Sequence, residues 1–173
     1  MNGTGTFTEQ PSIRILSVDD HPFLREGLAA IIENQPDMIL VSQACTAAEA
    51  IQHHRNFRPD VTLMDLRLPD RSGIEAMVTI RAEAPAARII ILTTFSNDAD
   101  VKKALAAGAR GYLLKSTPPS EMVDVIRCVH AGKTYVPKAV TAPHEKPERD
   151  EPKGSHEAGA MRRALNRFLR KRI

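Results

Sequence analysis

Hydrophobic residues in this chain follow two alternating patterns. Short runs of branched apolar residues give way to longer stretches in which apolar positions recur every three or four residues. The runs read as strands and the stretches as amphipathic helices. Ile13–Val18 is the first strand. Pro22–Asn34 is the first helix, with Phe23, Leu24, Leu28, Ile31 and Ile32 at helical spacing and Pro22 suited to its first turn. Met38–Ala44 is a second strand, and Ala47–Asn56 a helix with Thr46 as N-cap. Asp60–Asp65 is a nearly apolar strand that ends in a carboxylate. It leads to a helix over Ser72–Ala84 with Ile74, Met77, Val78 and Ile80 on one face. Ala87–Thr93 is the fourth strand, and Asp98–Ala107 a helix closed by Gly108, which tolerates positive φ. Arg110–Leu114 and Pro119–Ala131, ended by Gly132, complete the series.

Five such repeats predict an α/β domain. Strands buried on both faces are continuous apolar runs, as Ile89–Leu92 is, so the sheet is expected to be parallel with helices on both faces. Right-handed crossovers and the domain's size favour a doubly wound, five-stranded order, 2-1-3-4-5. Residues 1–12 read as a flexible leader and 13–138 as the domain. Residues 139–157, rich in proline and charge, read as a disordered linker. Residues 158–173 resume a helical pattern, with Met161, Leu165, Phe168 and Leu169 on one side of a basic amphipathic helix.

Composition narrows the class. A chain of 173 residues suits one domain plus an appendage. The longest apolar run, Leu28–Ile32, is far short of the about 20 residues of a membrane span. The start of the chain shows no secretory pattern, so a cytoplasmic protein is the expectation. Cys45 and Cys128 are too few for a disulfide framework or a four-ligand zinc site, and are expected as small buried apolar residues. The net charge of +3 divides unevenly: −1 over residues 1–138 and +4 over 139–173. The basic character therefore belongs to the tail.

In a doubly wound sheet, ligands bind beyond the carboxyl ends of the strands. The polar residues of this chain sit there: Asp19 and Asp20 after the first strand, Asp65 at the end of the third, Thr93 and Thr94 at the fourth, Lys115 after the fifth. Each alone would pass for a turn, cap or surface residue. Their convergence on one edge argues otherwise. Crowded carboxylates call for a cation, and Mg²⁺ suits an all-oxygen set completed by waters and phosphate oxygens. A site of that kind, with an ammonium and a hydroxyl, is suited to a phosphoryl group, and Asp65 is the candidate nucleophile. His21 is expected to orient its loop, and His53 and His54 to be surface residues.

Four segments carry a family resemblance: Val18-Asp19-Asp20-His21-Pro22; Met64-Asp65-Leu66 with Pro69 and Gly73; Leu92-Thr93-Thr94-Phe95; and Ala107 through Lys115. Together they resemble the receiver domain of bacterial two-component response regulators, in the NarL/FixJ (LuxR-type) subfamily. The resemblance covers residues 13 to about 138. It implies a flavodoxin-like, CheY-like sheet, with Asp65 as phosphoacceptor and Lys115 pairing with the phosphoryl group. It implies Mg²⁺ held by Asp19, Asp20, Asp65 and the backbone carbonyl of Arg67. It implies Thr93 as the switch hydroxyl, 22 residues before Lys115, and Tyr112 as the aromatic that turns inward with it. The implied partner is a sensor histidine kinase, with phosphorylation-enhanced homodimerisation as a further expectation. The chain would be a phosphorelay switch, not a metabolic enzyme.

The subfamily usually continues into a DNA-binding helix-turn-helix. Residues 139–173 show no such pattern, which leaves three accounts of the tail. It is a remnant, a basic helix that touches nucleic acid or an anionic membrane, or a helix that docks its apolar stripe on a partner or on the receiver. Rival functions are also open. A LuxR-type transcription factor with a truncated or replaced output domain would bind DNA through the tail. An aspartate-nucleophile phosphatase would want an acid where Arg67 stands. A nucleotide or flavin binder would want a glycine-rich first loop.

Overall fold

The structure is a computed structural model that describes residues 12–94 and 98–136. The expected alternation is present throughout: β1 (Ile13–Val18), α1 (Pro22–Glu33), β2 (Met38–Ala44), α2 (Ala47–Phe57), β3 (Val61–Asp65), α3 (Gly73–Glu83), β4 (Ile89–Thr93), α4 (Asp98–Ala106), β5 (Gly111–Leu114) and α5 (Pro119–His130). The five strands form one parallel sheet in the order β2-β1-β3-β4-β5, as the sequence predicts. The leader, the linker and the amphipathic tail expected from the sequence lie outside the described residues.

Local chemistry sets the boundaries. Pro22 opens α1 and Pro119 opens α5. The Thr46 hydroxyl caps α2 by accepting the Glu49 N–H, while the Glu49 carboxylate accepts the Cys45 N–H. Ser72 caps α3 through the Ile74 N–H. Beyond α5 the chain turns back to the β5 edge of the sheet. There the Tyr135 carbonyl accepts the Tyr112 N–H, and the Tyr135 N–H donates to the Arg110 carbonyl.

Two apolar layers sandwich the sheet. Leu16, Val18, Met64, Ile89 and Ile91 pack against α2, α3 and α4; Ile15, Leu63, Ile90, Leu92 and Leu113 pack against α1 and α5. The run Ile89–Leu92 is wholly buried, because alternate side chains enter opposite layers. Each such side chain contributes about 1.5–3 kcal/mol on burial. That rigid centre fixes where the strand ends stop.

Several side chains depart from expectation. Val78 is half exposed, since one residue past Met77 it turns off the buried face of α3. Phe23 is 89% exposed, at the start of α1 and off the Leu28–Ile32 stripe. His54 is buried, not on the surface: it completes the Ala47, Ala50, Ile51, His54 stripe of α2. Cys45 and Cys128 are half-buried free thiols, not core residues.

Candidate functional site

The carboxyl ends of β1, β3, β4 and β5 bring the expected residues together. Asp19 follows β1 and is fully buried; Asp65 ends β3 and is 3% exposed. The Lys115 N–H donates to the Thr93 carbonyl at 2.7 Å, which ties the end of β5 to the end of β4. The Lys115 ammonium then reaches both acids. Its Nζ lies 2.8 Å from Asp65 Oδ2 and 2.7 Å from Asp19 Oδ2. Beside it is a cavity of about 200 Å³ lined by His21, Asp65, Arg67, Thr93, Thr94 and Lys115.

Each acid is held by a short network. Asp65 Oδ1 accepts the Arg67 N–H at 3.2 Å, so the loop after β3 turns back over the carboxylate. Asp19 Oδ1 accepts the His21 N–H at 2.9 Å. His21 Nδ1 sits 3.1 Å from Asp19 Oδ1 and 2.8 Å from Asp20 Oδ1, joining the acidic pair. His21 thus orients its loop, as expected. The Arg25 guanidinium donates to the Asp19 carbonyl, and the Gln43 amide donates to the Arg25 carbonyl.

Electrostatics mark the centre. Burial raises the Asp65 pKa above the usual carboxylate value; the Lys115 bond opposes this, and the Asp19 charge adds to it. Burial would lower the Lys115 pKa, but its bonds to Asp19 and Asp65 overcome that and raise it. Lys115 is thus the buried counter-charge shared by the two acids.

The donor set fits a hard divalent cation such as Mg²⁺. One ligand atom each from Asp19, Asp20, His21 and Asp65 fall within 4.8 Å of one another. Three carboxylates against one ammonium leave two negative charges, which a divalent ion would neutralise. Carboxylate oxygens predominate, as such an ion requires. The Arg67 carbonyl belongs to the same loop.

Thr93 is buried at the end of β4, while Thr94 beside it is exposed; both line the cavity. Tyr112 stands inward and is fully buried, in the layer that holds Val101, Ala104 and Ala109. Burial and the Asp100 charge raise its pKa, and Thr93 alongside opposes them. The aromatic and the hydroxyl are thus neighbours.

Sequence reading missed Arg25, Gln43 and Asp70. The first two act on backbone, which leaves no motif. Asp70 bonds to residues 22 and 23 positions earlier, although its place after Pro69 does mark a turn.

The family model of the response regulator receiver domain matches residues 15–127. The uncharacterized transcriptional regulatory protein YxjL of Bacillus subtilis (strain 168) is 41% identical over 130 residues, which are 75% of this chain and 59% of that protein. The response regulator protein VraR of Staphylococcus epidermidis is 34% identical over 123 residues, 71% of this chain and 59% of that protein. The chain thus spans about three fifths of the length of these curated relatives. Among solved structures, a LuxR-family two-component response regulator from Aurantimonas sp. SI85-9A1 superposes with a TM-score of 0.72 at 42% identity, over 75% of this chain and 93% of that one. The signal receiver domain of the putative response regulator NarL from Mycobacterium tuberculosis gives 0.69 at 28% identity, over 72% of this chain and all of that one.

Proposed function

Because the chain belongs to the response regulator receiver domain family, we propose that Asp65 accepts a phosphoryl group in an Mg²⁺-dependent reaction that switches a partner surface. The donor is the phosphohistidine of a sensor kinase or a small acyl phosphate. An Asp65 carboxylate oxygen attacks phosphorus, the donor's bond to phosphorus breaks, and an acyl phosphate forms. The observation that carries this reading is Lys115, whose ammonium bridges Asp19 and Asp65 beside the cavity it helps to line.

Asp19, Asp20, Asp65 and the Arg67 carbonyl would hold Mg²⁺, and the ion supplies charge neutralisation at the transferring oxygens. Lys115 leaves its carboxylate pair and donates to the phosphoryl oxygens. The Thr93 hydroxyl donates to another. A phosphoryl group adds about −1.5 to −2 charges and three strong acceptors, enough to draw the end of β4 inward. Tyr112, packed beside Thr93, holds the inward arrangement and passes the change to the face of α4, β5 and α5. Homodimerisation through the changed surface is part of this reading.

YxjL is named as a transcriptional regulatory protein, so the output proposed here is control of transcription, in the cytoplasm. Among the described residues no helix is long and apolar enough to cross a membrane. The test is intact-protein mass after incubation with acetyl phosphate, with and without Mg²⁺, for wild type and Asp65→Ala. One phosphoryl adduct on wild type, lost without Mg²⁺ and in the variant, is expected. An adduct that survives in Asp65→Ala overturns the reading.

A further inference from the structure

We propose that Asp70 is a positioning residue for the loop between β3 and α3, and through it for metal binding at the phosphorylation site. The inference rests on the reading of Asp65 as phosphoacceptor.

The loop closes at its base: the Gly73 N–H donates to the Leu66 carbonyl at 3.0 Å, and Arg67 pairs with Ser72. Arg67 in turn donates its N–H to Asp65. The Arg67 backbone, on both its N–H and carbonyl sides, therefore moves with the loop. At the tip, Asp70 Oδ1 accepts the Ala47 N–H at 2.8 Å and Oδ2 accepts the Ala48 N–H at 3.0 Å. These are the first two residues of α2. On its other side the loop borders an open groove of about 450 Å³, lined also by Asp100 and Lys103; Leu66 and Leu68 anchor the loop's base in the core, while Pro69 and Asp70 at the tip are exposed.

The helix has a local cap besides this one. Thr46 serves the Glu49 N–H through its hydroxyl and the Ala50 N–H through its carbonyl. What Asp70 adds is a tether. It also closes a circuit around the site, because the Asp19 N–H donates to Ala44, the last residue of β2, at 3.1 Å. The metal-side acid is thus tied to one end of the β2–α2 turn and the acceptor loop to the other. A bidentate carboxylate at a helix N-terminus is a charge-assisted contact, suited to fixing position.

The experiment uses the full chain as Asp70→Ala, Asp70→Asn and Thr46→Ala. Mg²⁺ affinity is read by calorimetry without any phosphodonor. Phosphorylation from acetyl phosphate is read by intact mass across Mg²⁺ concentrations. Asp70→Ala should weaken Mg²⁺ binding by up to about tenfold, the lower end of what loss of a group bonded directly to a ligand costs. The Mg²⁺ needed for half-maximal phosphorylation should rise in step, with the rate at saturating Mg²⁺ much less changed. Asp70→Asn, which keeps one acceptor, should recover part of the loss. Thr46→Ala uncaps the same helix and should lower Tm while leaving Mg²⁺ affinity at the wild-type value. Wild-type affinity in Asp70→Ala, or an equal loss in Thr46→Ala, overturns the proposal. If Asp70→Ala does not fold, wild-type affinity in Asp70→Asn overturns it. A wild-type protein that binds Mg²⁺ but takes no phosphoryl group defeats the function reading alone, and the calorimetry still decides the role of Asp70.

Discussion

Gly73 begins α3 where the β3–α3 loop folds back against Asp65, and the approach leaves no room for a side chain. A Cβ there would lie 1.9 Å from the Asp65 carbonyl oxygen and 3.0 Å from Met64 Cγ. Relieving the first contact to 3.0 Å requires a shift of about 1.1 Å in backbone, since no flexible side chain can yield instead. Overpacking of this kind costs about 1–3 kcal/mol, or roughly 4–12 °C in Tm for a domain of this size. The shifted atom is the backbone carbonyl of Asp65, the proposed phosphoacceptor. Passed on to the Asp65 carboxylate, a misplacement of about 1 Å lowers rates on the order of 100-fold. Gly73→Ala should therefore lose both stability, by circular dichroism melting, and phosphorylation rate, by intact mass with acetyl phosphate and Mg²⁺. Gly27→Ala is the matched control: nothing lies within 4 Å of its Cβ, inside α1. It should stabilise by about 0.5–1 kcal/mol and leave the rate alone. A Gly73→Ala protein with wild-type Tm would refute the steric argument. One with lowered Tm but wild-type rate would refute the coupling of the α3 start to the acceptor.

Three further outcomes follow from the same geometry. Lys115→Ala leaves Asp19 and Asp65 facing each other without their shared ammonium; it should lose about 3 kcal/mol of stability in chelator, regain much of it in Mg²⁺, and phosphorylate on the order of 100-fold more slowly. Wild-type stability in chelator would contradict it. His54 has its pKa lowered, chiefly by burial and against the pull of Glu83. The unfolded chain therefore binds the proton more readily, and stability should fall as pH drops below about 6.5, by no more than about 1.4 kcal/mol per pH unit from this group. In urea titrations from pH 5 to 8, His54→Leu should flatten that slope; an unchanged slope would refute it. Tyr135→Pro removes the N–H that donates to Arg110, and should speed hydrogen exchange at the Tyr112 amide; unchanged exchange would show that the segment after α5 is not held by this pairing.

The fold was legible because its signals are local. Ile89–Leu92 shows two-sided burial in four adjacent letters, and Thr46, Pro22 and Gly108 mark helix ends through their own backbone chemistry. The site was legible for a topological reason: in this sheet order Asp19, Asp65, Thr93 and Lys115 must share one edge. What escaped depends on where a helix turns its faces or on distant partners. His54 reads as one of a polar pair with His53, but seven residues from Ala47 it returns to the buried stripe. Val78 reads as core beside Met77 and points outward. Asp70 meets α2 across more than twenty residues of chain, and the Tyr135 pairing on β5 follows a whole helix. Neither contact leaves a periodicity.

Of the three neighbouring carboxylates of Asp19, Asp20 and Asp65, the last is the one proposed to carry the phosphoryl group. Borohydride reduction of the phosphorylated chain converts an acyl phosphate to an alcohol, and peptide sequencing locates it. The account predicts homoserine at position 65 in the Mg²⁺-treated sample, with Asp19 and Asp20 intact. Reduction at position 19 or 20, or a stable phosphoryl group at any other residue with Asp65 unmodified, would contradict it.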